Sequence, residues 1–118
     1  MLTMADAVIA LIALLHVYVL VLEMFLWDRP AGLRAFGHTQ EAAAASKVLA
    51  ANQGLYNGFL AAGLLWGLSL GAAGLSVKVF FLSCVLVAGL YGAVSAGIRR
   101  ILLIQSVPAA IALTLLLL

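Results

Sequence analysis

The chain has 118 residues, 67% of them hydrophobic and 8% charged, with a mean hydropathy of +1.27. A soluble domain carries about 25% charged residues, so these proportions describe an integral membrane protein, with length for a single domain over residues 1–118 and no separate soluble module. A net charge of +2 is too small to argue for nucleic acid, and the lone cysteine, Cys84, excludes an intrachain disulfide or a multi-cysteine zinc site.

The first apolar run extends from about residue 6 to residue 27. A bilayer core of about 30 Å needs roughly 20 helical residues, so this run is long enough to span it. It has no basic leading segment and no small-residue cleavage site, and reads as a span rather than a signal peptide. His16 and Glu23 interrupt it. Seven residues is about two helical turns, which places both on one face. Trp27 is an interfacial anchor and Pro30 stops the helix.

Residues 28–46 are polar enough to leave the membrane, and His38 reads as a solvated loop residue. Thr39 is an N-cap, and Glu41 followed by four alanines is strong helix-forming sequence. The second helix therefore starts near Thr39 and projects into the cytoplasm before it crosses, its span running over about residues 47–70. Gly71-Ala72-Ala73-Gly74 makes a short turn. The third span covers about 77–97 and the fourth about 101–118, with Pro108 kinking the fourth. The expected fold is an all-α membrane protein: a four-transmembrane-helix bundle with helix 2 extended into the cytoplasm.

Lys/Arg asymmetry sets the orientation. Arg29, Arg34, Lys47, Arg99 and Arg100 lie on one side and only Lys78 on the other. Loops 28–46 and 97–100 are accordingly cytoplasmic and both termini outside. Arg34, Arg99 and Arg100 can in addition touch anionic lipid.

The densest polar stretch is Asn52-Gln53-Gly54-Leu55-Tyr56-Asn57-Gly58. At roughly 100° per residue, Asn52, Tyr56, Gly63 and Gly67 share a stripe that Gly71 extends, so Gly63, Gly67 and Gly71 form a small-residue packing ridge continuous with the polar face. Tyr91 on the third helix and Gln105 on the fourth lie on comparable small-and-polar faces. These groups cluster in the cytoplasmic half, which describes a pocket open to the cytoplasm and sealed outside rather than a through-pore.

A charged carboxylate at membrane depth is expensive, and an intramembrane ionisable residue is a functional-site hypothesis by default. Glu23 is thus the centre of the candidate ligand site, with His16, Asn52, Gln53, Tyr56, Asn57, Tyr91 and Gln105 around it. The alternatives for Glu23 are a structural hydrogen bond to Asn52, Gln53 or Gln105, or a side chain that snorkels to the interface. One His and one Glu are too few ligands for a metal, and neither a metal nor a cofactor is expected.

His16 with Glu23-Met24-Phe25-Leu26-Trp27, then Phe36-Gly37, then Asn52 through Leu64, closely resembles the bacterial domain-of-unknown-function family 1304. Val87 through Ala93 and Gln105-Ser106-Val107-Pro108-Ala109 are similar to it as well. The resemblance implies a small four-span protein of the bacterial inner membrane and brings no activity with it.

The leading functional reading is binding or transport of a small amphiphilic or cationic molecule at Glu23. A second is an enzyme acting on a lipid-soluble substrate, with Glu23 and His16 as acid and base and Tyr91 or Asn57 polarising an oxygen. A third is a structural or partner subunit without ligand. Membrane lipids and further copies of the chain, as a homo-oligomer, are the expected partners.

Overall fold

The structure, a computed structural model, describes residues 2–118, which form helices and short turns with no strand among them. Helix α1 is Met4–Phe25, α2 Pro30–Phe36, α3 Gln40–Ser69, α4 Leu75–Ala96 and α5 Arg99–Leu117. Three of these, α1, α5 and Gly71–Ala96 containing α4, are long and apolar enough to cross a membrane. Helix α3 is not among them: its 30 residues are ample, but Asn52, Gln53 and Asn57 dilute its apolar character.

Local chemistry explains the boundaries. Thr3 and Asp6 cap α1 reciprocally, Asp6 N–H donating to Thr3 Oγ1 (3.1 Å) and Thr3 N–H to Asp6 Oδ2 (3.3 Å). Thr39 Oγ1 accepts from Ala42 N–H (3.1 Å) at the start of α3. Gly37 and Gly97 follow α2 and α4 with φ of 65° and 68°, a left-handed conformation that costs glycine nothing. Within α5, Leu102–Ser106 forms a π turn that ends two residues before Pro108. Proline has no N–H for the carbonyl four residues back and crowds it, and the widened turn makes room in advance.

The chain falls into two compact units, the first comprising the chain up to Leu14 with Leu60–Leu118, the second Leu15–Phe59. The first unit is cored by Ile9, Ile12 and Ala13 of α1, Leu64 of α3, Leu82 and Val85 of α4, and Ala109 and Ala112 of α5. Gly63 lets the Phe81 ring lie against the α3 backbone, and Gly67 similarly admits Lys78 and Val77. Gly71 does not continue that ridge. It opens the turn Gly71–Gly74 with φ of 59° and open space where a side chain would be, so its role is conformational.

Lys78, the basic residue opposite the others in sequence, is buried, its Nζ 3.0 Å from Asp6 Oδ1 and 3.4 Å from the Gly71 carbonyl. A buried ammonium requires such a partner. Further along α4, Gly89 lies against Gln105 and Ser106, and Ser106 Oγ donates to the Leu86 carbonyl (3.1 Å).

The glycines of α4 give a contrast. A Cβ at Gly89 would collide with Ser106 and stand 3.0 Å from Gln105 Cβ, whereas at Gly92 it would meet Ile101 at 3.5 Å, an ordinary contact. Gly89→Ala is expected to destabilise the protein by about 1–3 kcal/mol. Gly92→Ala is expected to be neutral or stabilising by up to about 1 kcal/mol, the helix-propensity gain. Thermal unfolding of both variants in one detergent checks the sign of each.

Candidate functional site

The second unit contains the end of α1, the turn after it, α2 and the first part of α3. Two glycines bring α3 against α1. A Cβ at Gly54 would stand 2.6 Å from Met24 Cγ and 3.1 Å from Glu23 Cβ, and one at Gly58 would stand 2.6 Å from Leu20 Cδ1. Without those side chains the backbones approach closely enough for a short carboxamide to reach across. As α3 advances from Gly54 to Gly58, its contacts on α1 move back toward Leu20, so the two segments run antiparallel.

At this crossing Asn57 Nδ2 donates to Glu23 Oε1 at 2.6 Å, joining residues 34 apart in sequence. Both side chains are buried, Glu23 at 8% exposure and Asn57 at 5%. The two ion pairs of the described residues are Lys47–Asp28 and Lys78–Asp6. Glu23 therefore has a neutral donor and no cationic one. No group of three or more His, Cys, Asp or Glu among the described residues is placed to hold a metal ion.

The other candidates divide. His16 is buried in α1, about 10.5 Å along the helix axis from Glu23, too far for a direct hydrogen bond. Asn52, Gln53 and Tyr56 are exposed, and Asn52 Nδ2 donates to the Val48 carbonyl one turn back (3.1 Å). Gly63 and Gly67 are buried while Asn52 and Tyr56 are exposed, so the expected continuity between the Asn52–Tyr56 face and the glycine ridge does not occur; the buried positions nearest the crossing are Ala50, Gly54 and Asn57. Gly54 and Gly58 set the rotation at this crossing, because a side chain at either would meet Met24, Glu23 or Leu20 of α1.

Tyr91 and Gln105 belong to the first unit. Tyr91 is exposed, and Gln105 sits half-buried in the π turn beside Gly89. Two shallow surface recesses lie on that unit as well. One, of about 310 Å³, is lined by Val107, Ala110, Ile111, Thr114 and Leu115; the other, of about 430 Å³, by Phe80, Ser83, Cys84, Val87 and Ala88.

One cluster escaped the sequence reading. Trp27, Phe36 and His38 stack with ring centroids 4.8 Å (Trp27–Phe36), 4.3 Å (Trp27–His38) and 6.0 Å (Phe36–His38) apart. Trp27 Nε1 donates to Ser46 Oγ (3.1 Å), which in turn donates to the Ala42 carbonyl (2.7 Å). His38 Nε2 donates to the Trp27 carbonyl (3.2 Å), so His38 is half-buried rather than solvated. The available signal was Pro30 and Gly37: proline at the first helical position and glycine just past the last bound a short helix inside a segment that otherwise reads as loop.

Lys47 Nζ lies 3.0 Å from Asp28 Oδ2 and joins the start of α3 to the turn after α1. The hydrogen bond from Lys47 holds the Asp28 carboxyl below its ordinary value of 3.8. A carboxyl lowered in the folded state stabilises above its unfolded value, and that contribution is lost as the pH falls through the lower folded one. The stability difference between the wild type and Lys47→Met is therefore expected to be present near neutral pH and to vanish in acid, with the loss falling below pH 3.8. Denaturation midpoints across an acid titration test it.

At Glu23, Asn57→Leu removes the side-chain donor and is expected to destabilise by about 1–3 kcal/mol, the range for a buried acceptor left unsatisfied. In a Glu23→Gln background the same substitution is expected to lose less. A double-mutant cycle measures the difference.

The family described as protein of unknown function (DUF1304) matches residues 10–117. YpaA of Lactococcus lactis subsp. lactis, described as an uncharacterized protein, is 31% identical over 105 residues, covering 87% of each chain. No solved structure matches the chain. The chain belongs to the DUF1304 family.

Proposed function

We propose that this member of the DUF1304 family is a four-span protein of the bacterial inner membrane that binds or transports a small cationic or amphiphilic molecule at Glu23. The spans are α1, the later part of α3, α4 and α5, packed as a four-helix bundle. Both termini lie outside, and residues 28–46 and 97–100 face the cytoplasm. The site opens to the cytoplasmic side.

For the fourth crossing, the support is the antiparallel pairing of α3 with α1. A helix whose Gly54, Asn57 and Gly58 pack along an apolar span shares its depth. At about 45 Å, α3 is also longer than a hydrocarbon core of about 30 Å, so its first turns extend beyond it. The orientation rests on Arg29, Arg34, Lys47, Arg99 and Arg100 against Lys78, the last neutralised by Asp6.

The observation that carries the ligand reading is the state of Glu23: buried, given one hydrogen bond by a neutral amide, and joined by no cation among the described residues. A carboxylate so placed requires a proton or a cationic guest to offset its burial. A second reading draws on the same bond. Asn57 and Glu23 fasten α3 to α1, and a family member with that task alone would be a structural subunit.

Native mass spectrometry of the detergent-solubilised protein, wild type beside Glu23→Gln, separates the two. The expected result is a discrete non-lipid mass on the wild type that is absent from the folded variant. The same bulk phospholipid on both proteins would overturn the ligand reading and leave the structural one.

A further inference from the structure

We propose that the outward face of α3 is the contact between two copies of this chain, placed side by side in the same orientation. This rests on the four-span reading and orientation above. Ala42, Ala45, Leu49, Asn52, Tyr56 and Phe59 are all exposed and recur at alternating intervals of three and four. That is the spacing of a helix–helix seam, with an asparagine inside it. The opposite side of the same helix carries Ala50, Gly54 and Asn57, already occupied by the contacts to α1.

An outward stripe on a membrane helix ordinarily faces lipid. Helix α1 has such a stripe, with Leu11, Leu14 and Val21 exposed, and hydrocarbon suffices to cover it. The α3 stripe reverses the expected chemistry at both ends. Val48 and Leu49 are exposed beside Lys47, whose exposed ion pair with Asp28 belongs in water or among head groups. Asn52, Gln53 and Tyr56 are exposed farther along, where Gly54 and Gly58 pack on α1 between Met24 and Leu20. Apolar groups thus meet the aqueous side while carboxamides and a phenol face the lipid.

Lipid tails offer Asn52, Gln53 and Tyr56 no hydrogen bond, and no side-chain hydrogen bond of the described residues involves Gln53 or Tyr56. Carboxamides and phenols each carry donors and acceptors, so a second copy of the same face is complementary to it. The Lys/Arg asymmetry inserts every copy the same way round. The two-fold axis then runs along the membrane normal, and each seam residue faces its own counterpart at equal height. Ala42 and Ala45 let the helices approach closely at the cytoplasmic end.

Cysteine cross-linking in membranes tests this on the full chain in a Cys84→Ala background. Leu49→Cys, Asn52→Cys and Tyr56→Cys are each expected to shift from one chain to two on mild oxidation. Val94→Cys, more exposed than Leu49 or Tyr56 but on α4, is expected to remain a single chain. Seam variants that cross-link no better than Val94→Cys, or that link to a different protein, overturn the proposal. So does a single-chain mass for the wild type by native mass spectrometry, a readout that needs no variant to fold. Labelling of Phe59→Cys by a membrane-impermeant maleimide would instead report α3 outside the bilayer and defeat the four-span reading. A shielded Phe59→Cys without seam cross-links defeats the dimer alone.

Discussion

The hydrogen bond between Asn57 and Glu23 depends on backbone proximity, and backbone proximity depends on Gly54 and Gly58. A carboxamide spans little distance, so a 2.6 Å bond between side chains on two helices requires the helices to be nearly touching. Glycines one turn before Asn57 and directly after it meet that requirement by leaving Met24, Glu23 and Leu20 the space of two missing side chains. The polar group and the glycines are one device. Enlarging either glycine would separate the helices and strand the carboxyl.

The first unit applies the same logic with other chemistry. Gly63 receives an aromatic ring, Gly67 receives the stem of Lys78, and Gly89 receives the backbone and side chain of the π turn in α5. In each place a close approach is followed by a polar closure or an apolar fill: the Lys78–Asp6 pair, the Ser106 bond to Leu86, and the cluster around Leu64 and Leu82. Hydrophobic burial gives little drive between helices in hydrocarbon, so fit and a few hydrogen bonds must hold them. The π turn belongs to this scheme, since it absorbs Pro108 while Ser106 keeps its contact with α4.

Helix α3 stands apart because its two faces differ and its first turns carry their own ties. Its buried stripe of Ala50, Gly54 and Asn57 serves α1, while Asn52, Gln53 and Tyr56 point away from the chain. Its first turns are tied by Ser46 to Trp27 and by Lys47 to Asp28, which also anchors the short helix α2 through the Trp27–Phe36–His38 stack. A helix engaged so differently along its length does not read as uniformly apolar. Composition alone therefore separates it from α1, α4 and α5.

Composition and hydropathy determined the all-helical class and the apolar runs of α1, α4 and α5, because length and transfer free energy are properties of local sequence. The cap at Thr39, the turn at Gly71 and the glycine end at Gly97 were legible for the same reason, each being a short-range bond or a φ preference. Glu23 and Asn57 could be singled out, since polar groups are conspicuous in apolar sequence, but not paired. Which of Asn52, Gln53 and Asn57 would reach Glu23 turned on the rotation of α3 about its axis. That rotation was decided in three dimensions, where Gly54 and Gly58 found Met24 and Leu20 and turned Asn52 and Tyr56 outward. Helical periodicity states which residues share a face. Only packing against a neighbour states which face is inside.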